Sequence, residues 1–465
     1  MKRLLLAAAT LAVLAVPAAA QPAPPAPRPG APKPPAAAKP APGPKMPALE
    51  TFTLENGLRG VFLHHDAAPV VAVEVWYHVG AKDEPRTRRG SAHMFEHIMF
   101  KGTARVRPEE HARFVNGVGG TVNAFTTEDA TAYVQIVPAT YLDFVLQLEA
   151  ERMRNLLFRE RSIATEREVV KEEIRQQEND PVAKGLLRFL EIAYEKHPYA
   201  WTAGGTIADL DRTTPADLKS FYDTYYQPGN ALVVVVGQST LDEVKGLVEK
   251  HFGSIPGGPP PPRPADATPE PPQTKKRREV VEPGQIGIVF AGWKIPEAKH
   301  DDVYALQVLS LVMGAGESSR VRQRIKSDPK SIEVGGVDGA TPVLVREHPG
   351  LFLALGVYRD PKGGDVIEQM IFDEVAKIAS KPPTGDELKK AKNQILSGFV
   401  FGLDSPLGLA QQIGQSWILT GDPTQWLRDL QAFEKLTSAD LARVARTYLT
   451  PDRATVVIVP PRGAK

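Results

Sequence analysis

Hydrophobic residues follow two rhythms along this chain. In 70–79 and 131–137, β-branched and aromatic residues crowd into short runs, which predicts strands. Residues 141–158 and 163–178 read as helices. Two further apolar runs, 231–236 and 454–459, each follow a helix-like stretch that runs into proline. Their surroundings recur too. Ala216, Asp217, Leu218, Thr224, Tyr225 and Pro228 reappear as Ala439, Asp440, Leu441, Thr447, Tyr448 and Pro451, at a constant offset of 223 residues. A repeat this long predicts duplicated domains, not a solenoid. Strands mixed with helices in each half predict an α+β fold, two homologous domains that each pack helices on one face of a mixed or antiparallel sheet.

Proline marks the boundaries. A Pro-rich break, 256–278, separates an N-terminal domain at 49–255 from a C-terminal one at 279–460. It ends in Lys275-Lys276-Arg277-Arg278, read as a solvated linker end and not a nucleic-acid patch. At the start, Met1-Lys2-Arg3 precedes an apolar run of thirteen residues, 4–16, and then Ala18-Ala19-Ala20. This pattern predicts a signal peptide at 1–20, with Gln21 as the mature start, and therefore export; in a Gram-negative cell the compartment is the periplasm. Thirteen apolar residues are short for a bilayer span, so no integral membrane anchor is expected. Residues 21–48 are dominated by Pro and Ala and read as an extended spacer.

Composition narrows the function classes. The 465 residues are 42% hydrophobic and 24% charged, with a net charge of +1, which gives no electrostatic case for nucleic acid. The absence of cysteine excludes disulfides, thiolate metal ligands and a cysteine nucleophile. The candidate chemistry lies in His93-Met94-Phe95-Glu96-His97. Positions i and i+4 stack on one helix face, so both imidazoles can grip one ion from the same side. Glu96 sits at the edge of that face, where it can take a proton from water. The order inverts that of the H-E-x-x-H zinc motif.

The run GSAHMFEHIMFKGT, 90–103, resembles the signature of the pitrilysin/insulinase metallopeptidases, which include mitochondrial processing peptidase. The resemblance implies one zinc ion per chain, held by His93, His97 and a glutamate on a second helix. Glu173, 76 residues after His97, matches that third ligand. Glu166, two turns earlier on the same face, matches the glutamate that orients the ligands. Glu96 is implied as general base and then general acid in peptide-bond hydrolysis. The family fold implied is a clamshell of two such domains around a chamber. The stretch 119–127 resembles the family's substrate-binding edge strand, with Asn123 and Ala124 beside the substrate backbone.

The likeness is strong through 49–255 and weak through 279–460. In the second half, Gly314-Ala315-Gly316-Glu317-Ser318-Ser319-Arg320 resembles a turn after which many members carry an arginine and, seven residues on, a tyrosine. That pair binds substrate and stabilises the oxyanion. Here Lys326 stands at the arginine position, and Ile332 or Glu333 at the tyrosine's. Neither donates the tyrosine's hydrogen bond, and losing one such donor costs about a hundredfold or more in turnover. Two expectations compete: the zinc-bearing subunit of a heterodimer whose homologous partner supplies the Arg/Tyr pair, or a slower peptidase acting alone or as a homodimer. The first is favoured. The leading expectation is thus an exported zinc endopeptidase acting on extended peptides or unfolded segments. The rival is a non-catalytic assembly protein of the same fold, which should have lost the zinc residues that are all present here. A metal-dependent esterase shares the site but leaves the edge strand without a purpose.

Overall fold

The structure, a computed structural model, describes residues 48–463. The expected signal peptide and all but the last residue of the spacer lie outside them. The first half runs through strands β1 (Leu49–Thr53), β2 (Arg59–His64) and β3 (Val70–Tyr77), then helices α1 (Ser91–Ile98) and α2 (Glu110–Gly117). Strands β4 (Thr121–Thr126) and β5 (Thr131–Pro138) follow, then α3 (Leu142–Arg154), α4 (Glu160–Asn179), α5 (Pro181–Ala193), α6 (Ile207–Arg212), α7 (Pro215–Tyr225), β6 (Ala231–Gly237) and α8 (Leu241–Phe252). The second half contains β7 (Arg277–Val280), β8 (Gly287–Ile295), α9 (Asp302–Gly314), α10 (Arg320–Ser327), α11 (Pro329–Glu333), β9 (Asp338–Ala340), β10 (Val343–Leu344) and β11 (Gly350–Tyr358). It closes with α12 (Gly363–Ser380), α13 (Gly385–Leu403), α14 (Pro406–Thr420), α15 (Gln425–Lys435), α16 (Ser438–Tyr448) and β12 (Ala454–Val459).

The duplication is visible in the pairing. The first sheet has the order β1-β2-β6-β3-β5-β4, with β2 and β6 parallel and every other pair antiparallel. The second has β7-β12-β8-β11, again with only β7 and β12 parallel, and both β9 and β10 pair with β11. The runs 231–236 and 454–459 are therefore the same central strand in each copy. At the far edge of the first sheet, β4 pairs, among the described residues, with β5 alone.

Strands β3 and β6 are buried on both faces, which demands two covering layers. One is local: Val71, Val73, Val75 and Tyr77 pack with residues of α1 and α3 such as Phe95 and Val145. The other comes from the opposite half. Leu409, Ala410, Ile413 and Trp417 of α14 cover Ala72, Trp76, Leu232, Val234 and Val236. Reciprocally, Phe189, Leu190 and Ala193 of α5 pack on Phe290, Val457 and Val459 of the second sheet. Each half thus lends one helix to the other's sheet.

A glycine makes the close approach of α14 possible. A Cβ on Gly414 would sit 2.1 Å from the Trp76 indole. Gly414→Ala is expected to destabilise the protein by about 1–3 kcal/mol through overpacking, read as a lower denaturation midpoint. Gly402→Ala, in α13 where an added Cβ meets nothing within 4 Å, should not lower it.

Two expectations need correction. The helix read over 141–158 stops at Arg154, because Leu156 turns away to bridge Thr103. The basic run is not a linker end: Lys275, Lys276 and Arg278 are exposed, but Arg277 and Arg278 enter β7, where Arg278 pairs with Glu368 at 2.9 Å and Arg277 with Glu195 at 3.0 Å. The Pro-rich segment before it is strapped to both halves. Arg263 donates to the His78 carbonyl, Glu270 accepts the backbone N–H groups of Glu195, Lys196 and His197, and Gln273 donates to the Ala454 carbonyl. Among the described residues, no helix is long and apolar enough to cross a membrane.

Candidate metal centre

Helix α1 buries Ala92, Met94, Phe95 and Ile98, which leaves His93, Glu96 and His97 together on its other face. Three contacts fix the helix. Gly90 caps it at a φ of +90°, where a Cβ would meet the Gly204 carbonyl at 2.9 Å. Having no cap side chain, the N-terminus borrows one: the buried Glu84 carboxylate accepts the N–H groups of Gly90 and Ala92, each at 2.7 Å. The Tyr133 hydroxyl donates to the Phe95 carbonyl at 2.8 Å, and the Phe95 ring stacks on Phe221 and Tyr222.

Helix α4 lies against this face and brings two glutamates seven residues apart. Glu173 Oε2 is 3.5 Å from His93 Nε2 and 3.8 Å from His97 Nε2. One ligand atom from each of these three residues lies within 4.8 Å of the other two. Glu166 Oε2 is 3.2 Å from His97 Nδ1, and its other oxygen takes Lys101 Nζ at 3.0 Å. With Nδ1–H donating to Glu166, His97 Nε2 keeps its lone pair for Glu173's side of the cleft. The two imidazole planes stand at 82° with centroids 5.0 Å apart, so their nitrogens converge and do not stack.

The donor set suits zinc. Bonds of about 2.0–2.2 Å in a tetrahedron place ligand atoms about 3.3–3.6 Å apart, near the spacings seen. Burial, helped by the neighbouring His97, holds His93 down to about 4, so its imidazole is neutral and able to bind a cation. Glu96 Oε2 is 3.9 Å from His93 Nε2, outside the convergent trio. Burial pushes its carboxyl up, while Thr126, against which it lies, and His97 pull it back. A carboxylate raised in this way is a better proton acceptor than a solvated one.

Of the expected substrate residues, Asn123 and Ala124 lie in the edge strand β4, next to α1, with Asn123 exposed and Ala124 buried. Lys326 is elsewhere: it pairs with Glu317 at 2.9 Å on α10, and Ile332 is 59% exposed. Among the described residues no hydrogen bond or ion pair joins Lys326 to the trio. Sequence reasoning passed over Glu84, Lys101, Thr126 and Tyr133. Lys101 stood inside the motif run and Thr126 inside the edge-strand run 119–127; Glu84 and Tyr133 carried no spacing signal, since their contacts depend on how the sheet edge folds over α1.

The profile of the insulinase family (peptidase family M16) matches residues 60–206, and that of the peptidase M16 inactive domain matches 212–395. The zinc protease PqqE of Helicobacter pylori is 33% identical over 422 residues, 90% of this chain and 94% of that protein. A probable mitochondrial-processing peptidase subunit beta of Arabidopsis thaliana is 24% identical over 415 residues, covering 87% and 76%. A crystal structure of a protease from Helicobacter pylori superposes with a TM-score of 0.85 at 31% identity, covering 90% of this chain and all of that one. The periplasmic protease PqqL of Escherichia coli, at 19% identity and a TM-score of 0.73, shares the fold over 88% of this chain and 47% of its own. By motif, fold and these likenesses, the chain belongs to the pitrilysin/insulinase-type family, peptidase family M16.

Proposed function

We propose that the protein is an exported zinc-dependent endopeptidase that hydrolyses extended peptides or unfolded segments, with His93, His97 and Glu173 holding one zinc ion and Glu96 as general base. The observation that carries this reading is the convergence of both His Nε2 atoms on one Glu173 oxygen, with Glu96 beside them and outside the trio. Relatives named as zinc proteases support the same reaction class. Bound there, zinc would supply Lewis acidity, lowering the pKa of water and polarising the scissile carbonyl.

The chain's own groups do the rest. Glu96 takes a proton from the attacking water and returns it to the leaving amine nitrogen. The water oxygen first bonds to the carbonyl carbon, pushing the C=O electron pair onto oxygen; return of that pair breaks the C–N bond as the amine takes the proton, so one water is consumed per bond cut. Glu166 keeps His97 in the tautomer that presents Nε2. The open edge of β4, at Asn123 and Ala124, pairs with an extended backbone and gives affinity with little dependence on sequence. Glu166→Gln is expected to weaken zinc binding about 10–100-fold, measured by competition with a chelating dye.

Lys326 supports a divided enzyme. With Lys326 beside Glu317 and offering a point charge in place of the arginine's fork, and Ile332 and Glu333 unable to donate as a tyrosine does, we infer that a homologous second subunit supplies the Arg/Tyr pair. The test is the mature chain alone, incubated with a quenched unstructured peptide, with zinc content measured on the same sample and Glu96→Gln as blank. Zinc-dependent turnover establishes the peptidase; zinc without turnover directs the search to the partner; no zinc overturns the reading. Export is tested by N-terminal sequencing of the protein made in its own cells, which should begin at Gln21.

A further inference from the structure

Among the described residues, the second half contributes none to the metal centre, yet it reaches the strand beside it. The segment between β10 and β11 presents Arg346, Glu347 and His348 to the turn joining β4 to β5. Arg346 pairs with Glu128 at 3.2 Å, and its guanidinium lies 4.5 Å over the Tyr199 ring. The Glu347 N–H donates to Asp129 Oδ2 at 3.4 Å, and the His348 N–H donates to the Tyr199 hydroxyl at 3.2 Å. That hydroxyl donates in turn to Asp129. The Glu347 carboxylate reaches Lys82 at 3.4 Å and His78 at 2.8 Å. Lys82, Asp83, Glu128, Asp129 and Arg346 are all buried. From the first half, the N–H groups of Ala81 and Lys82 donate to the carbonyls of Thr127 and Glu128 at 3.1 and 3.0 Å.

Buried charges are a costly way to join two halves, because each must leave water. Apolar packing does that work with less desolvation, as α5 and α14 already do here. What a charged network does better is select one arrangement, since each buried member tolerates only positions where it is paired. The arrangement selected here is that of the turn after β4, whose last residue, Thr126, lies against Glu96.

We propose that Arg346 is a positioning residue: through Glu128 and Tyr199 it fixes the β4–β5 turn, and so the register and rigidity of the edge strand that takes the peptide. The strand-fixing step stands on contacts alone; its consequence for substrate rests on the peptidase reading above.

Two variants test it. Arg346→Lys keeps the charge but loses the planar fork and the stacking, and Glu128→Gln keeps the shape but removes the partner charge. In either, amide hydrogen exchange over 121–130 should quicken about tenfold or more while β3 and β6 stay protected. In a Glu96→Gln background, which binds peptide without cutting it, a labelled unstructured peptide should bind about tenfold more weakly, with zinc content unchanged. Exchange that is unaltered over 121–130, or quickened equally across the whole sheet, overturns the proposal. Quickened exchange with undiminished peptide binding overturns its link to substrate. If Glu96→Gln alone binds no peptide, the reading of a self-contained peptidase is what fails, and the exchange data still decide whether Arg346 holds the strand.

Discussion

Glu96→Gln should lower turnover about 10²–10⁴-fold and leave one zinc bound per chain. The amide has the shape of the carboxylate but cannot accept a proton, so the substitution removes one chemical capacity and little else. Zinc retention follows from position: Glu96 stands 3.9 Å from His93, whereas the trio closes on Glu173. Because the loss falls on a group acting in the transition state, kcat and kcat/KM should drop together, with peptide affinity little changed. Steady-state kinetics on a quenched peptide and metal analysis of the same sample check both halves of this expectation. A variant that cuts as fast as the parent would remove Glu96 from the mechanism. One that loses zinc would instead make it a ligand, and the proton would need another acceptor.

Why the trio was legible in the sequence while its setting was not has a physical reason. His93, Glu96 and His97 sit within one helix, so helical periodicity alone puts them on a common face. Glu166 and Glu173 share a face of α4 for the same reason, and the likeness to a known family joined the two helices. The central strands were legible because two-sided burial writes an unbroken apolar run, as in 231–236 and 454–459. By contrast, an amphipathic helix declares that it has a partner without saying which. The exchange of α5 and α14 between halves was therefore invisible, although Gly414 beneath Trp76 requires it. Arg346, Glu347 and His348 carried no sign of burial, since local sequence does not tell a solvated charge from a buried paired one. Lys326 shows the opposite failure: it occupies the expected position in order along the chain, yet the fold turns it to Glu317.

His97→Ala carries the largest expected effect on metal. It removes a ligand and also strips Glu166 of the imidazole it orients, so affinity should fall by more than the 10–100-fold typical of losing an outer hydrogen-bond partner. The consequence reaches stability by mass action. In zinc at a hundred times its dissociation constant, the parent gains about 2.7 kcal/mol over its chelated form, because the unfolded chain does not assemble the site. Thermal unfolding with zinc and with a chelator should therefore give two midpoints for the parent and one for His97→Ala. The single midpoint should coincide with that of the chelated parent, since the core of the first half holds both ligand-bearing helices, α1 and α4, in place without an ion. A variant that unfolds well below the chelated parent would mean that His97 also supports the fold, and the metal would then be a structural element. Equal zinc-induced shifts in parent and variant would dismiss His97 as a ligand and, with it, the trio.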